Sequence, residues 1–367
     1  MRISIIGSRG YPHVYSGYET LIKELSERLV KQGVKVTVYC HRNLFEERPK
    51  QVNGVDLVYM PTIETKSLSQ LIHSFFSITH ACFSNTDVVL VVNSANGPFG
   101  LITRLFRKPT AINVDGLEWL RPKWKGLGAA YFKWASKQAT KWYDQIINDS
   151  DEMRRVYLEL FNKESKVIAY GANIRSSTKP ELIKKWNLDH QGYYLIVGRL
   201  IPDNNADLII EGFLKSNSNC KLVVVGDVPY SDTYASRLKA LKDHRLIFTG
   251  YVTNQEELAE LYHNSFAYFH GHEFGGTNPT MLKAMAYGTA ILALDTPFNQ
   301  EMLQEGKYGD FFSKNTEDVT RCIYEHEETP QLLTKLRANA RNGLTEKYNW
   351  DYVTSQYLEV FRGLKKK

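Results

Sequence analysis

Cysteine is scarce and scattered. The four residues, Cys40, Cys82, Cys220 and Cys322, form no CxxC pair, which argues for a reducing compartment and against a disulfide framework or a structural zinc site. Long apolar runs are missing as well. No stretch approaches the roughly 18–20 residues that cross a bilayer, and Met1–Gly7 holds only a short apolar run that reads as a first strand rather than a leader. The dinucleotide fingerprint GxGxxG is absent, and no acidic residue closes the second strand, which disfavours a nicotinamide site. Acidic residues are missing from one window altogether. Between Trp119 and Trp142 lie Arg121, Lys123, Lys125, Lys133, Lys137 and Lys141 with no Asp or Glu, so the whole net charge of +6 is concentrated there.

What remains is the composition of an ordinary folded protein, 43% hydrophobic and 23% charged, in a chain of 367 residues, long enough for two cores. Short β-branched runs alternate with amphipathic stretches in both halves. Strands are expected at 3–6, 34–39, 55–59, 88–92, 110–114, 145–147 and 166–169, then at 194–197, 221–225, 246–248, 266–269 and 290–294. Helices are expected at 206–214, 234–242, 255–263, 279–287, 297–303 and, as a tail, 350–364. This pattern predicts an α/β protein of two Rossmann-like, doubly wound parallel-sheet domains, with ligands at the carboxyl ends of the strands in a central cleft. The expected domains are 1–172 and 173–349, with the helical tail following the second.

Two glycine-rich loops follow first strands. One carries Gly7, Arg9, Gly10, Gly17, Tyr18 and Glu19 and opens a long helix, an arrangement suited to an anion or an acceptor. The other is Gly198-Arg199-Leu200 with Asn204, where a guanidinium is placed to clamp a diphosphate. The sharpest element is His270-Gly-His272-Glu273-Phe-Gly275-Gly276-Thr277-Asn278-Pro279, followed by Lys283-Ala-Met-Ala-Tyr-Gly288. Asn278 suits a helix N-cap and Pro279 the first turn, so backbone N–H groups face a leaving phosphate. No third ligand accompanies His270 and His272, so no metal is expected. Asp115, at a strand end, suits the holding or deprotonation of an acceptor hydroxyl; a turn-capping Asp before Gly116 is the other reading. Asp149-Ser-Asp151-Glu152 reads as a helix cap with Glu152 in a capping box rather than as a metal-binding DxD.

Together these motifs resemble glycosyltransferase family 4, of the GT-B fold, over nearly the whole chain. Asn113-Val-Asp-Gly-Leu-Glu-Trp119 and the His270–Pro279 segment are similar to bacterial surface-polysaccharide rhamnosyltransferases. The resemblance implies retaining, metal-independent transfer without a cofactor, from dTDP-β-L-rhamnose to a lipid-diphosphate-linked N-acetylglucosamine. It implies that the domain at 1–172 takes the acceptor and the one at 173–349 the nucleotide sugar, that the helix at 350–367 packs back on the first, and that Asp115, Arg199 and Glu273 act in catalysis. The donor would be held by Gly17, Gly198, Asn204, Gly275, Gly276, Thr277, Asn278 and Lys283. Two positions depart from the family pattern: Asn204 stands where a phosphate-binding lysine is usual, and Lys283 where a ribose-binding glutamate is usual.

The basic window, with Trp119, Lys123, Trp124, Lys125, Lys133 and Trp134, fits a surface resting on anionic lipid, and the chain is expected to be cytoplasmic and peripheral on the inner face of the membrane. A solvated basic helix with inward tryptophans is the alternative. Nucleic acid is not expected beside glycine loops of this type. An epimerase or phosphorylase shares the two-domain outline, but no acid/base pair for an epimerase is seen. Transfer of another nucleotide sugar, or a weakened transferase that binds lipid or a partner, stays open because of Lys283.

Overall fold

The computed structural model describes residues 1–12, 17–63, 65, 68–121, 124, 126–228, 232–344 and 346–366. Two compact units are present, Met1–Gly171 with Lys347–Lys367, and Ala172–Glu346.

The first unit contains β1 (Arg2–Ile6), α1 (Gly17–Lys31), β2 (Lys35–His41), β3 (Gln51–Val52), β4 (Val55–Met60), α2 (Ser69–Phe83), β5 (Val88–Val92), α3 (Gly100–Leu105), β6 (Thr110–Val114), α4 (Leu127–Trp142), β7 (Gln145–Asn148), α5 (Asp151–Phe161) and β8 (Lys166–Val167). Its sheet runs β3-β4-β2-β1-β5-β6-β7-β8, parallel except for the β3–β4 hairpin. The five residues of β5 are all inaccessible to solvent, which is why that strand reads as an unbroken valine-leucine run: both faces are covered. The hairpin was not among the expected strands, although Asn53-Gly54, with both residues at positive φ, is the turn chemistry that specifies one.

The second unit contains β9 (Tyr193–Val197), α6 (Ala206–Lys215), β10 (Lys221–Val225), α7 (Thr233–Lys239), β11 (Leu246–Gly250), α8 (Gln255–Asn264), β12 (Ala267–His270), α9 (Pro279–Tyr287), β13 (Ile291–Leu294), α10 (Pro297–Leu303), β14 (Asp310–Phe312), α11 (Thr316–Glu328) and α12 (Pro330–Ala340). Its sheet is wholly parallel in the order β11-β10-β9-β12-β13-β14. The chain then returns to the first unit as α13 (Trp350–Lys365), which packs on α1; the Tyr357 hydroxyl accepts a hydrogen bond from Asn113 Nδ2 at 2.9 Å.

Strand order reverses between β1 and β5 in the first unit and between β9 and β12 in the second. At such switch points the loops on either side diverge and leave a crevice at the carboxyl ends of the strands. The segments beginning at Gly7 and Gly198, and the one after His270, all leave their strands there.

Candidate active site

In the second unit the backbone is packed so closely at the switch point that side chains are excluded. A Cβ on Gly226, at φ +122°, would lie 2.0 Å from the Gly198 carbonyl oxygen, and one on Gly271 would lie 2.3 Å from that of Asn204. Gly226→Ala combines this clash with a disfavoured φ, and is expected to cost about 3 kcal/mol or more of stability in a denaturant titration. Asn204 is buried, and its Nδ2 donates to the Arg199 carbonyl oxygen at 2.8 Å. Where the resemblance expects a lysine, the chain has an amide that braces its own loop. Arg199 is exposed, and no carboxylate pairs with it among the described residues. Asn205 Nδ2 donates to the Gly271 carbonyl at 2.8 Å, tying this loop to the one after β12.

That second loop is held by both ends. The Glu273 amide donates to the Asp203 carbonyl at 3.1 Å, and Asn299 Nδ2 donates to the His272 carbonyl at 3.1 Å. The Glu273 carboxylate forms an ion pair with Lys314, 2.6 Å away. Gly275 has φ +123°, a value that favours glycine. Asn278 caps α9, its Oδ1 accepting from the Thr280 amide at 2.9 Å and from Thr280 Oγ1 at 2.7 Å.

A proton chain stands behind this cap. Because Thr280 Oγ1 gives its hydrogen to Asn278, it accepts from the Tyr268 hydroxyl at 2.9 Å. The Tyr268 oxygen therefore accepts from His270 Nδ1 at 2.8 Å, which places the imidazole hydrogen on Nδ1. Burial, reinforced by His272 stacked at 4.6 Å, pushes the His270 pKa well below the usual imidazole range, so the ring is neutral. His270 is thereby a structural support for the cap.

Lys283 lies on α9, half-buried, with Nζ 3.4 Å from Gln255 Oε1. Burial first, then the Arg175 guanidinium, lowers its pKa. Neither cation has a carboxylate partner among the described residues.

In the first unit, a Cβ on Gly7 (φ +111°) would lie 2.3 Å from the Val92 carbonyl, so the loops after β1 and β5 touch through backbone. Gln70 Nε2 donates to the Gly7 carbonyl at 2.8 Å. Buried Glu19 sits in the first turn of α1, and its Oε1 accepts from the Arg9 amide at 3.0 Å. This is a brace that closes the Gly7–Gly10 loop. Gly17 and Tyr18 begin α1.

Asp115 leaves the end of β6. The Tyr170 hydroxyl donates to its Oδ2 at 2.6 Å, and its own amide donates to the Tyr18 hydroxyl at 3.4 Å. Burial raises the Asp115 pKa, while the bonds from Tyr170 and Tyr18 and the charge of Arg121 pull it back. Both tyrosine hydroxyls are pushed well above their usual range, chiefly by burial and then by the Asp115 charge. Beside this cluster Arg121 pairs with Glu118 at 3.1 Å, and Trp124 Nε1 donates to Glu118 at 2.7 Å. Tyr170 was not among the expected site residues. Its signal was only positional, a tyrosine just past a short edge strand.

The capping reading at Asp149-Ser-Asp151-Glu152 changes in detail. Ser150 is the N-cap, its Oγ accepting from the Met153 amide, and Glu152 falls at the second helical position, where it pairs with Arg155 at 2.6 Å. In the basic window Trp119 packs edge-on to Phe161 and Trp124 on Phe132, whereas Lys133 and Trp134 point outward from α4, Trp134 being 49% exposed. Lys123 and Lys125 lie outside the described residues.

Residues 178–343 match the family model described as glycosyl transferases group 1, and residues 1–173 match a domain of unknown function (DUF1972). A curated relative, an uncharacterized glycosyltransferase of Methanocaldococcus jannaschii (MJ1069), is 26% identical over 248 residues, which are 64% of this chain and 62% of that protein. The match therefore spans just over three fifths of the relative. Sucrose-phosphate synthase from Thermosynechococcus elongatus superposes with a TM-score of 0.85 at 16% identity, covering 99% of this chain and 98% of that one. The Anabaena protein HepE in complex with UDP-glucose gives 0.78 at 14% identity, covering 99% and 100%. These likenesses establish the GT-B fold. No helix among the described residues is long and apolar enough to cross a membrane.

Proposed function

We propose that this chain, whose residues 178–343 match the family model of glycosyl transferases group 1, is a retaining, metal-independent glycosyltransferase with a nucleotide-diphosphate sugar as donor. The observation that carries the reading is the pairing, at one switch point, of an unneutralised Arg199 with a glycine-rich turn capped into α9. Such a turn offers backbone N–H groups to a diphosphate, and an arginine binds two of its oxygens at once. HepE, with its bound UDP-glucose, supports a nucleotide sugar in a protein of this fold.

In this reading an acceptor hydroxyl attacks the anomeric carbon as the bond to the diphosphate breaks. The hydroxyl proton passes to a departing phosphate oxygen on the same face, so configuration is kept. Arg199 and the amides of Gly275–Asn278 stabilise the charge that develops on the diphosphate. Gly198 allows close approach of the backbone, Glu273, steadied by Lys314, addresses the sugar hydroxyls, and Lys283 reaches phosphate. Asp115 holds the acceptor hydroxyl. The Gly7–Gly10 loop with Arg9, closed by Glu19 and followed by Tyr18, serves the acceptor or a phosphate, and Gly17 serves the donor. No cofactor takes part.

The finer reading names dTDP-β-L-rhamnose as donor and a lipid-diphosphate-linked N-acetylglucosamine as acceptor, in surface-polysaccharide synthesis on the inner face of a bacterial membrane. The similarity of the His270–Pro279 and Asn113–Trp119 segments to rhamnosyltransferases supports it. Incubation with that pair, reading product by mass, tests it: rhamnosyl product is expected, and turnover only with UDP- or GDP-sugars overturns the rhamnose assignment.

Lys283 beside Arg175 favours a second reading, a transferase weakened at its nucleotide site. The two readings diverge for Lys283→Glu. If Lys283 contacts phosphate, the variant binds donor about tenfold more weakly by calorimetry. If the nucleotide site is weakened, the same variant gains affinity and turnover.

Asp115 supplies a pH signature. It acts as a carboxylate, so activity is lost as pH falls through its raised pKa. Tyr170→Phe removes a bond that favours the charged form, and is expected to move the acidic limb of the kcat/KM profile to higher pH with the basic limb unchanged.

A further inference from the structure

The first unit carries an exposed aromatic ridge outside the site described above. On α2 and α3 the outward residues are Phe75, Phe76, Phe83, Leu101, Leu105 and, just after α3, Phe106; Phe83 is 74% and Leu105 73% exposed. They are contiguous. Phe83 stands edge-on to Phe106 at 4.8 Å and Phe75 to Phe76 at 5.5 Å, and α3 packs against both α2 and α4. The face is stiff on the α4 side, where a Cβ on Gly97 would lie 1.9 Å from the Ala135 carbonyl. Exposed large apolar side chains in one contiguous patch mark an interaction surface rather than scattered surface hydrophobics.

Charge selects the occupant. The 15 residues of α2, 6 of α3 and 16 of α4 include no aspartate or glutamate. Exposed Arg104, Arg107, Lys133, Lys137 and Lys141 flank the ridge, and none has a carboxylate partner among the described residues. A protein partner contacted through an aromatic ridge does not require three helices emptied of acid. A sheet of phosphates above hydrocarbon does: rings settle at the level of the acyl boundary while lysine and arginine reach phosphate. We infer that the α2–α3–α4 face is where this chain docks on an anionic phospholipid bilayer, with Phe76, Phe83, Leu105 and Trp134 as the inserted anchors. This rests on and deepens the peripheral-membrane part of the proposed function, extending its surface from the Trp119–Trp142 window to the ridge.

Co-sedimentation of the full chain with phosphatidylglycerol-containing and with pure phosphatidylcholine vesicles tests it. The chain is expected to bind the anionic vesicles, with binding weakened by high salt. Phe76→Ser with Phe83→Ser is expected to lower that binding at least about tenfold, and Lys133→Gln with Lys137→Gln to lower it and flatten its salt dependence. Because Lys133 and Lys137 are exposed, the glutamine pair leaves thermal melting unchanged; the serine pair, with Phe76 44% and Phe83 74% exposed, lowers it slightly, and neither pair changes transfer to a detergent-soluble acceptor. Wild-type binding by the serine variant overturns the inference. So does a wild-type dimer that the serine substitutions convert to monomer without any effect on vesicles, which makes the ridge an interface between copies. Ridge-dependent vesicle binding by a chain that transfers no sugar supports the docking face while counting against the transferase reading.

Discussion

Arg199→Ala is expected to lower kcat about 10²- to 10³-fold, with a smaller change in KM. The guanidinium is exposed and free of any carboxylate among the described residues, so the protein gives it no internal task. Its loop is placed independently of it, by the Asn204 side chain on the Arg199 carbonyl and by the backbone packing of Gly198 against Gly226. Removing it therefore leaves the loop intact and stability within about 0.5 kcal/mol. What is lost is charge stabilisation that grows as the diphosphate departs, an effect commonly worth about 3–4 kcal/mol. Arg199→Lys restores the charge without the two-pronged geometry and is expected to recover only part of the rate. Steady-state kinetics beside a thermal melt check both parts. A kcat within threefold of wild type for the alanine variant would place the diphosphate elsewhere.

Asp115→Asn is expected to lower turnover by about 10²-fold while the fold stays intact. The amide keeps the size of the carboxyl group and still accepts from the Tyr170 hydroxyl, so the part-buried hydrogen bond survives. Asp115→Ala leaves that hydroxyl without its acceptor and is expected to cost a further 1–3 kcal/mol or so of stability. The pair of variants separates chemistry from support. If Asp115 serves only as a turn residue before Gly116, asparagine turns over normally. The remaining activity of the asparagine variant also loses the acidic limb, because no carboxylate is left to titrate in the window that burial has moved upward.

Much of the fold was legible because parallel strands covered on both faces spell unbroken apolar runs, as in Val88–Val92. The β14, α11 and α12 elements were harder to see. In α11 the apolar positions Val319, Cys322 and Ile323 follow helical spacing, but Glu317, Asp318, Arg321 and Glu325 crowd the same 13 residues and dilute the pattern. At the candidate site, glycines and caps could be read because each answers a local backbone demand, as Asn278 and Gly275 do. Contacts made across the chain could not. Tyr170 is 55 residues from Asp115, and Lys314 is 41 from Glu273. Nothing local to Glu19 shows that its carboxylate braces a backbone amide ten residues earlier. The ridge is hard to read for another reason: Phe75, Phe76 and Phe83 sit on a helix that buries His73, Ser74 and Ser77 beside Ile78, Ala81 and Cys82, so its largest apolar residues, on the outward side, look in sequence like the core side.

The most direct test is the anomeric configuration of the product, read by NMR after incubation with a nucleotide-diphosphate sugar and a lipid-diphosphate acceptor in the presence of a chelator. The expected result is a new glycosidic bond of the same configuration as the donor, formed at an undiminished rate without metal. An inverted product, or turnover that the chelator abolishes, contradicts it.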